Sequence, residues 1–158
     1  MEMKEMNLLV IIGLIGALML IIGVFTAWLD PNIPVDDFSG WDVFNNKDHE
    51  FDEVDYTWAP LVALLAGVIS FGLLVMPLIM NTEKYEQINN LLGLVALILA
   101  VVTVIVTYLF WSQNLPYGTH FSDVADMGIG IYLVYIGGII TIIGGIMPIL
   151  KNKGIIKF

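Results

Sequence analysis

The side chains best equipped for chemistry are two histidines set among carboxylates. His49 stands in the run Asp48-His49-Glu50-Phe51-Asp52-Glu53-Val54-Asp55, and His120 precedes Asp123 and Asp126. Imidazole with carboxylate suits several transition metals, and clustered carboxylates suit hard cations. The candidate metal ligands are therefore His49, Asp48, Asp52 and Asp55 in one stretch, with His120 and Asp123 in the other. Their spacing matches neither a calcium loop, which needs Asp-x-Asp-x-Asp-Gly, nor a histidine pair at i and i+4. The spacing favours a solvated acidic surface that gathers cations weakly by charge. Nucleophilic chemistry has no better footing. Ser39, Ser112 and Ser122 lack a Gly-x-Ser-x-Gly setting, no glycine-rich phosphate loop is present, and the absence of cysteine removes thiolate and disulfide chemistry. The expectation is a protein that is not an enzyme and carries no cofactor.

The elements that must hold these residues are hydrophobic. Of 158 residues, 58% are hydrophobic and 13% charged, a balance that fits a membrane protein rather than a soluble fold. Four apolar runs, at about 8–29, 59–80, 91–111 and 127–150, contain no Asp, Glu, Lys, Arg or His. A run of 22 residues rising ~1.5 Å per residue crosses ~30 Å of hydrocarbon. The expected fold is all-α: a single domain forming an integral membrane four-helix bundle. Ser39 or Asp37 is placed to cap a short helix carrying Phe38, Trp41 and Phe44, which would lay its rings on the membrane surface. Val54, Tyr56 and Trp58 alternate as a short strand would.

Charge is sorted by segment. The loop 30–58 carries nine acids and only Lys47, out of a net charge of −9 for the chain, whereas Lys151, Lys153 and Lys157 make the tail 151–158 basic. Five lysines fall on one side of the spans and one on the other. The positive-inside rule then places both termini and the turn 81–90 in the cytoplasm of a multi-pass cell-membrane protein. Loops 30–58 and 112–126 face outward. The four tryptophans, Trp28, Trp41, Trp58 and Trp111, cluster toward that outer side as interface aromatics. With no basic patch beyond the tail, nucleic acid is not an expected partner. An intramembrane ionisable residue would mark a proton relay or an ion-coupled carrier, and none is present.

Small residues recur at three-four spacing in every span. Lipid is as apolar as leucine, so helices in it associate by close backbone approach and hydroxyl hydrogen bonds. The expected packing positions are Gly16 and Gly23, Gly67 and Ser70, Gly93, Ala96, Ala100 and Thr103, and Gly137, Thr141 and Gly144. A repeat is also visible. At an offset of 83, Asn7-Leu8-Leu9 falls on Asn90-Leu91-Leu92, Ala17 on Ala100, Trp28 on Trp111 and Phe38-Ser39 on Phe121-Ser122. At 71, Met76-Pro77 falls on Met147-Pro148. Two duplicated helical hairpins would be parallel copies about an axis along the membrane normal.

Phe25-Thr-Ala-Trp28 followed by Ser39-Gly40-Trp41-Asp42 resembles a group of small prokaryotic four-span membrane proteins. Those have an aromatic-Trp end to the first span and a Ser-Gly-Trp/Leu-Asp step in the first outer loop. The resemblance implies the four-span layout and no activity. The long first and short second outer loops are similar in layout to claudin-type tetraspans. Claudins, however, carry Gly-Leu-Trp and two cysteines where this chain has Gly40-Trp41 and none, so adhesion is not implied. The expected function is a non-enzymatic interaction protein, an accessory subunit or scaffold that presents an acidic outer loop. Its partners would be the lipid bilayer and either another membrane protein or a second copy. The alternative is a small oligomeric channel or carrier for a cation or neutral solute.

Overall fold

A computed structural model describes residues 3–31, 36–46, 51–52, 54–79, 86–113, 115 and 119–152. Asp48 and His49, the centre of the inner turn and the tail from 153 onward lie outside the described residues. The chain is mostly helical. Four long helices, α1 (Met3–Val24), α3 (Ala59–Ile79), α4 (Glu86–Ser112) and α6 (Ile129–Asn152), are joined by two short ones, α2 (Gly40–Asn45) and α5 (Phe121–Val124). Among the described residues, two helices hold stretches long and apolar enough to cross a membrane, Gly93–Ser112 in α4 and Ile129–Ile146 in α6. In α1 and α3 the apolar stretches among the described residues are shorter, Val10–Val24 and Ala59–Val75. Pro60 sits in the first turn of α3, where a missing N–H costs nothing.

The long helices form a ring of contacts. α1 packs on α3 and α6, and α4 packs on the same two helices, with the α1–α6 contact the most extensive. Glycines set the distance. A Cβ added to Gly16 would lie 2.7 Å from the Gly137 carbonyl oxygen, and one added to Gly137 would lie 2.8 Å from the Gly16 oxygen. Gly23 and Gly130 repeat that reciprocal contact one heptad further along, and Gly93 and Gly145 do the same between α4 and α6. Backbones this close gain dispersion over their whole length, and no side chain could be inserted without separating them.

A three-stranded antiparallel sheet, absent from the expected all-α fold, sits at one end of the helices. Its order is β2-β1-β3, with β1 at Ala27–Pro31, β2 at Phe38–Ser39 and β3 at Ala125–Met127. Leu29 pairs with Met127, Asp30 with Asp126 and Pro31 with Ala125. The first helix is therefore shorter than the apolar run that contains it. It stops at Val24, and residues 27–29 become strand. The cause is local. The Thr26 hydroxyl donates to the Ile22 and Gly23 carbonyls at 3.3 and 3.0 Å, and the Trp28 indole N–H donates to Gly23 at 2.8 Å. The end carbonyls of α1 are satisfied without a further helical turn. No strand forms at Val54–Trp58. That segment is a turn, and Tyr56 lies in the left-handed region with φ 60°. The sequence match at offset 83 does not extend to local structure here, since Trp28 lies in a strand and Trp111 in α4.

Candidate functional site

The sheet end of the molecule brings segments 25–31, 38–45 and 120–127 together. Its centre is Trp28, fully buried, with its ring edge-on to Phe110 at 5.6 Å. Its ring is enclosed by protein rather than turned to the surface. Trp28 is enclosed because glycines leave room for it. A Cβ on Gly40 would lie 2.6 Å from Trp28 Nε1, and one on Gly130 would lie 2.7 Å from Trp28 Cδ1. Trp41 and Trp58 remain exposed, and Trp111 is half-buried, stacked on Phe121 at 5.8 Å.

The two motif pieces, Phe25-Thr-Ala-Trp28 and Ser39-Gly40-Trp41-Asp42, are one constellation. Ser39 caps α2: its hydroxyl accepts from the Asp42 N–H at 3.1 Å, and the Asp42 carboxylate accepts from the Ser39 N–H at 3.0 Å. This reciprocal pair satisfies two otherwise free donors. Gly40 then lies on Trp28, while Trp41 turns outward against Phe25, with ring centroids 6.0 Å apart. Phe38 does not join Trp41 and Phe44. It lies in β2 and meets Phe51 edge-on at 5.1 Å. These residues build and orient the cap, and none is arranged as a nucleophile with a base.

The acidic side chains are mostly engaged locally. Asp52 accepts from Asn46 Nδ2 at 2.6 Å, while Asn46 Oδ1 accepts from the Phe51 N–H at 2.9 Å. Asp123 accepts from the His120 backbone N–H at 2.9 Å, capping α5 as Asp42 caps α2. Asp55 is held through its backbone by Gln113, a residue the sequence reading passed over. Asp30 lies opposite Asp126 across β1 and β3. A hydrogen bond to Asp37, reinforced by the charge of that carboxylate, pushes the Asp30 carboxyl above its ordinary range. Among the described residues, no group of three or more His, Asp or Glu side chains is placed to hold a metal ion. His120 and Asp123 therefore do not assemble with Asp52 and Asp55 into a ligand set.

Below the cap, the helix interior is lined with small and hydroxyl-bearing residues. Ser70, Thr103, Thr107 and Thr141 are fully buried, along with Ala96 and Ala100. Thr103 donates to the Leu99 carbonyl and Thr141 to the Gly137 carbonyl, each at 2.8 Å. The Ser70 and Thr107 hydroxyls have no partner among the described residues. Gly67 lies against Ala17 and Ile21, and Gly144 against Gly13. Comparison with known protein families, curated proteins and solved structures finds no match to this chain.

Proposed function

We propose that this chain is an integral membrane protein that crosses the bilayer four times, with both termini in the cytoplasm. On this reading it serves as a non-enzymatic accessory subunit or scaffold, and its acidic outer cap is the surface offered to a partner. One observation carries the membrane part: all four long helices turn large apolar side chains outward while burying small ones. The exposed set includes Ile11, Ile15, Leu18 and Ile22 on α1, and Leu65, Val68 and Ile69 on α3. It continues with Leu94, Ile98, Val102 and Ile105 on α4, and Ile136, Ile139 and Ile143 on α6. In water an apolar surface of this extent would drive association. In lipid it is the ordinary outer face of a helix group, and small residues belong inside. The apolar stretches of α4 and α6 are only 39% and 44% buried, unlike the core helix of a soluble protein.

The interaction part rests on the cap. Its motif residues serve capping and packing, which leaves the exposed carboxylates Asp36, Asp37, Asp126 and Asp55 as its distinctive surface. A field of one sign steers partners of the opposite sign and fades as salt rises. The test has two arms. Cysteines at Asn45 and Asn152, in a chain with no other cysteine, are labelled with an impermeant thiol reagent on intact cells. Reaction at Asn45→Cys alone is expected, and the reverse pattern would overturn the orientation. Chemical cross-linking in native membranes then compares the wild type with a triple variant, Asp36→Asn, Asp37→Asn and Asp126→Asn. A cross-linked partner lost in the variant is expected. One retained unchanged would mean the acids do not form the contact.

A further inference from the structure

Beside the acids, the cap carries an aromatic ladder of two exposed rings and one half-buried one, and its place on the molecule points to what covers it. Trp41 stands between two phenylalanines, 6.0 Å from Phe25 and 5.7 Å from Phe44 by ring centroid. Phe25 is 56% exposed and Trp41 40%. The ladder is not an isolated patch. Phe25 is the next step of the exposed stripe Ile11, Ile15, Leu18, Ile22 along α1, each three or four residues on from the last. The same apolar surface thus runs up one helix and turns onto α2 without a break.

α2 is fixed in that position from beneath. Gly40 and Val43 are buried, with Gly40 against the Trp28 ring. Trp28 in turn bonds to the last turn of α1. Asp42, the acid on α2, directs its carboxylate to the Ser39 N–H. The ladder is therefore held to the end of α1, and the carboxylate on α2 is hydrogen-bonded to the helix's own cap.

We infer that Phe25, Trp41 and Phe44 form a lipid-facing clamp that seats α2 in the headgroup layer of the outer leaflet, and that the headgroups it fits are neutral or zwitterionic. The inference rests on the reading of α1 as a membrane span and deepens it. Aromatic rings favour this layer because one edge meets acyl chains and the other meets water and ester groups. The headgroup class follows from charge. α2 carries no Lys or Arg, and Asp36, Asp37 and Asp42 lie on or beside it. A surface-lying helix that recruits anionic lipid does so through basic residues, and this one would repel it.

The experiment places spin labels on single cysteines at Leu18→Cys, Phe44→Cys and Ser122→Cys, in nanodiscs of phosphatidylcholine. Collision with oxygen is compared with collision with a water-soluble nickel chelate. Leu18 is expected to favour oxygen strongly, Phe44 to favour oxygen less, and Ser122 to favour nickel. Adding Trp41→Ala to the Phe44 label should move it toward nickel, and replacing part of the lipid with phosphatidylglycerol should do the same. A Phe44 label that favours nickel while Leu18 favours oxygen would overturn the clamp and leave the membrane span standing. If Leu18 favours nickel, both fall. A Phe44 label shielded from both reagents would place protein, such as a second copy, on the ladder and would also overturn the inference. Deeper seating in phosphatidylglycerol would overturn the headgroup class.

Discussion

Gly16 on α1 and Gly137 on α6 face each other so closely that a Cβ on either would strike the carbonyl oxygen of the other, at 2.7 and 2.8 Å. Gly72 on α3 is the opposite case, with nothing within 4 Å of an added Cβ. The same substitution should therefore have opposite signs at the two sites. Gly16→Ala is expected to destabilise by about 1–3 kcal/mol, because the helices must part. Gly72→Ala should stabilise by about 0.5–1 kcal/mol, because alanine loses less backbone entropy in a helix. Reversible unfolding in detergent measures both, and equal signs would contradict the packing.

The Trp28 indole N–H bonds to the Gly23 carbonyl inside the cap core. Trp28→Phe keeps a ring but removes the donor and part of the volume. A loss of about 1–3 kcal/mol is expected, combining a lost buried hydrogen bond with a cavity, while the Thr26 hydroxyl still donates to the Gly23 carbonyl. Trp58→Phe, at an exposed ring, should change stability by less than about 0.5 kcal/mol. Thermal unfolding distinguishes them. If Trp58→Phe costs as much, Trp28 is not the centre of the cap.

Gln113 copies the edge of a strand with its side chain. Its Oε1 accepts from the Asp55 N–H at 2.8 Å, its Nε2 donates to the Asp55 carbonyl at 2.6 Å, and the same Nε2 donates to Phe110 at 2.9 Å. Gln113→Ala should speed amide hydrogen exchange at Asp55 while leaving α4 protected. Gln113→Glu should not restore protection, since a carboxylate can accept from the N–H but repels the carbonyl. Unchanged exchange at Asp55 in Gln113→Ala would show that the clamp does not hold the loop.

Folding raises the Asp30 carboxyl pKa from its ordinary 3.8, through the hydrogen bond and charge of Asp37. The folded chain thus holds that proton more tightly than the unfolded chain does. The contribution to stability is fully present below pH 3.8 and is lost as pH rises through the interval above it. Asp37→Asn should flatten stability against pH in that interval and raise stability at neutral pH, with the difference shrinking in salt because Asp30 is exposed. Thermal unfolding from below pH 3.8 to neutrality measures this, and a steeper curve for Asp37→Asn would reverse the assignment.

Much of the helical layout was legible in the sequence. α3 begins at Ala59 as expected because a turn of Asp, Tyr, Thr and Trp precedes an unbroken apolar run. The end of α1 was not legible. Phe25-Thr-Ala-Trp-Leu is as apolar as the helix before it, and a buried strand and a buried helix look alike over five residues. The burial of Trp28 depends on Gly40 and Gly130, both distant in the chain, and no local pattern announces such a contact. Asp123 stood beside His120 as one of several candidate ligands in what the sequence favoured as a solvated acidic surface. The same three-residue spacing that Ser39 and Asp42 use to cap a helix was the better guide there, because a short carboxylate first satisfies the nearest free N–H.

The extensive contact between α1 and α6 joins two helices that lie far apart in the chain. Gly16 and Gly23 wait on a partner more than a hundred residues away, and β1 waits equally for β3. Until the ribosome has released α6, the nascent chain holds a glycine-lined face and an unpaired strand edge with no mate. Both are surfaces that a neighbouring nascent chain, or a chaperone, could occupy first. Maturation is therefore gated by α6, and a chain truncated before residue 129 would lose the main support of α1.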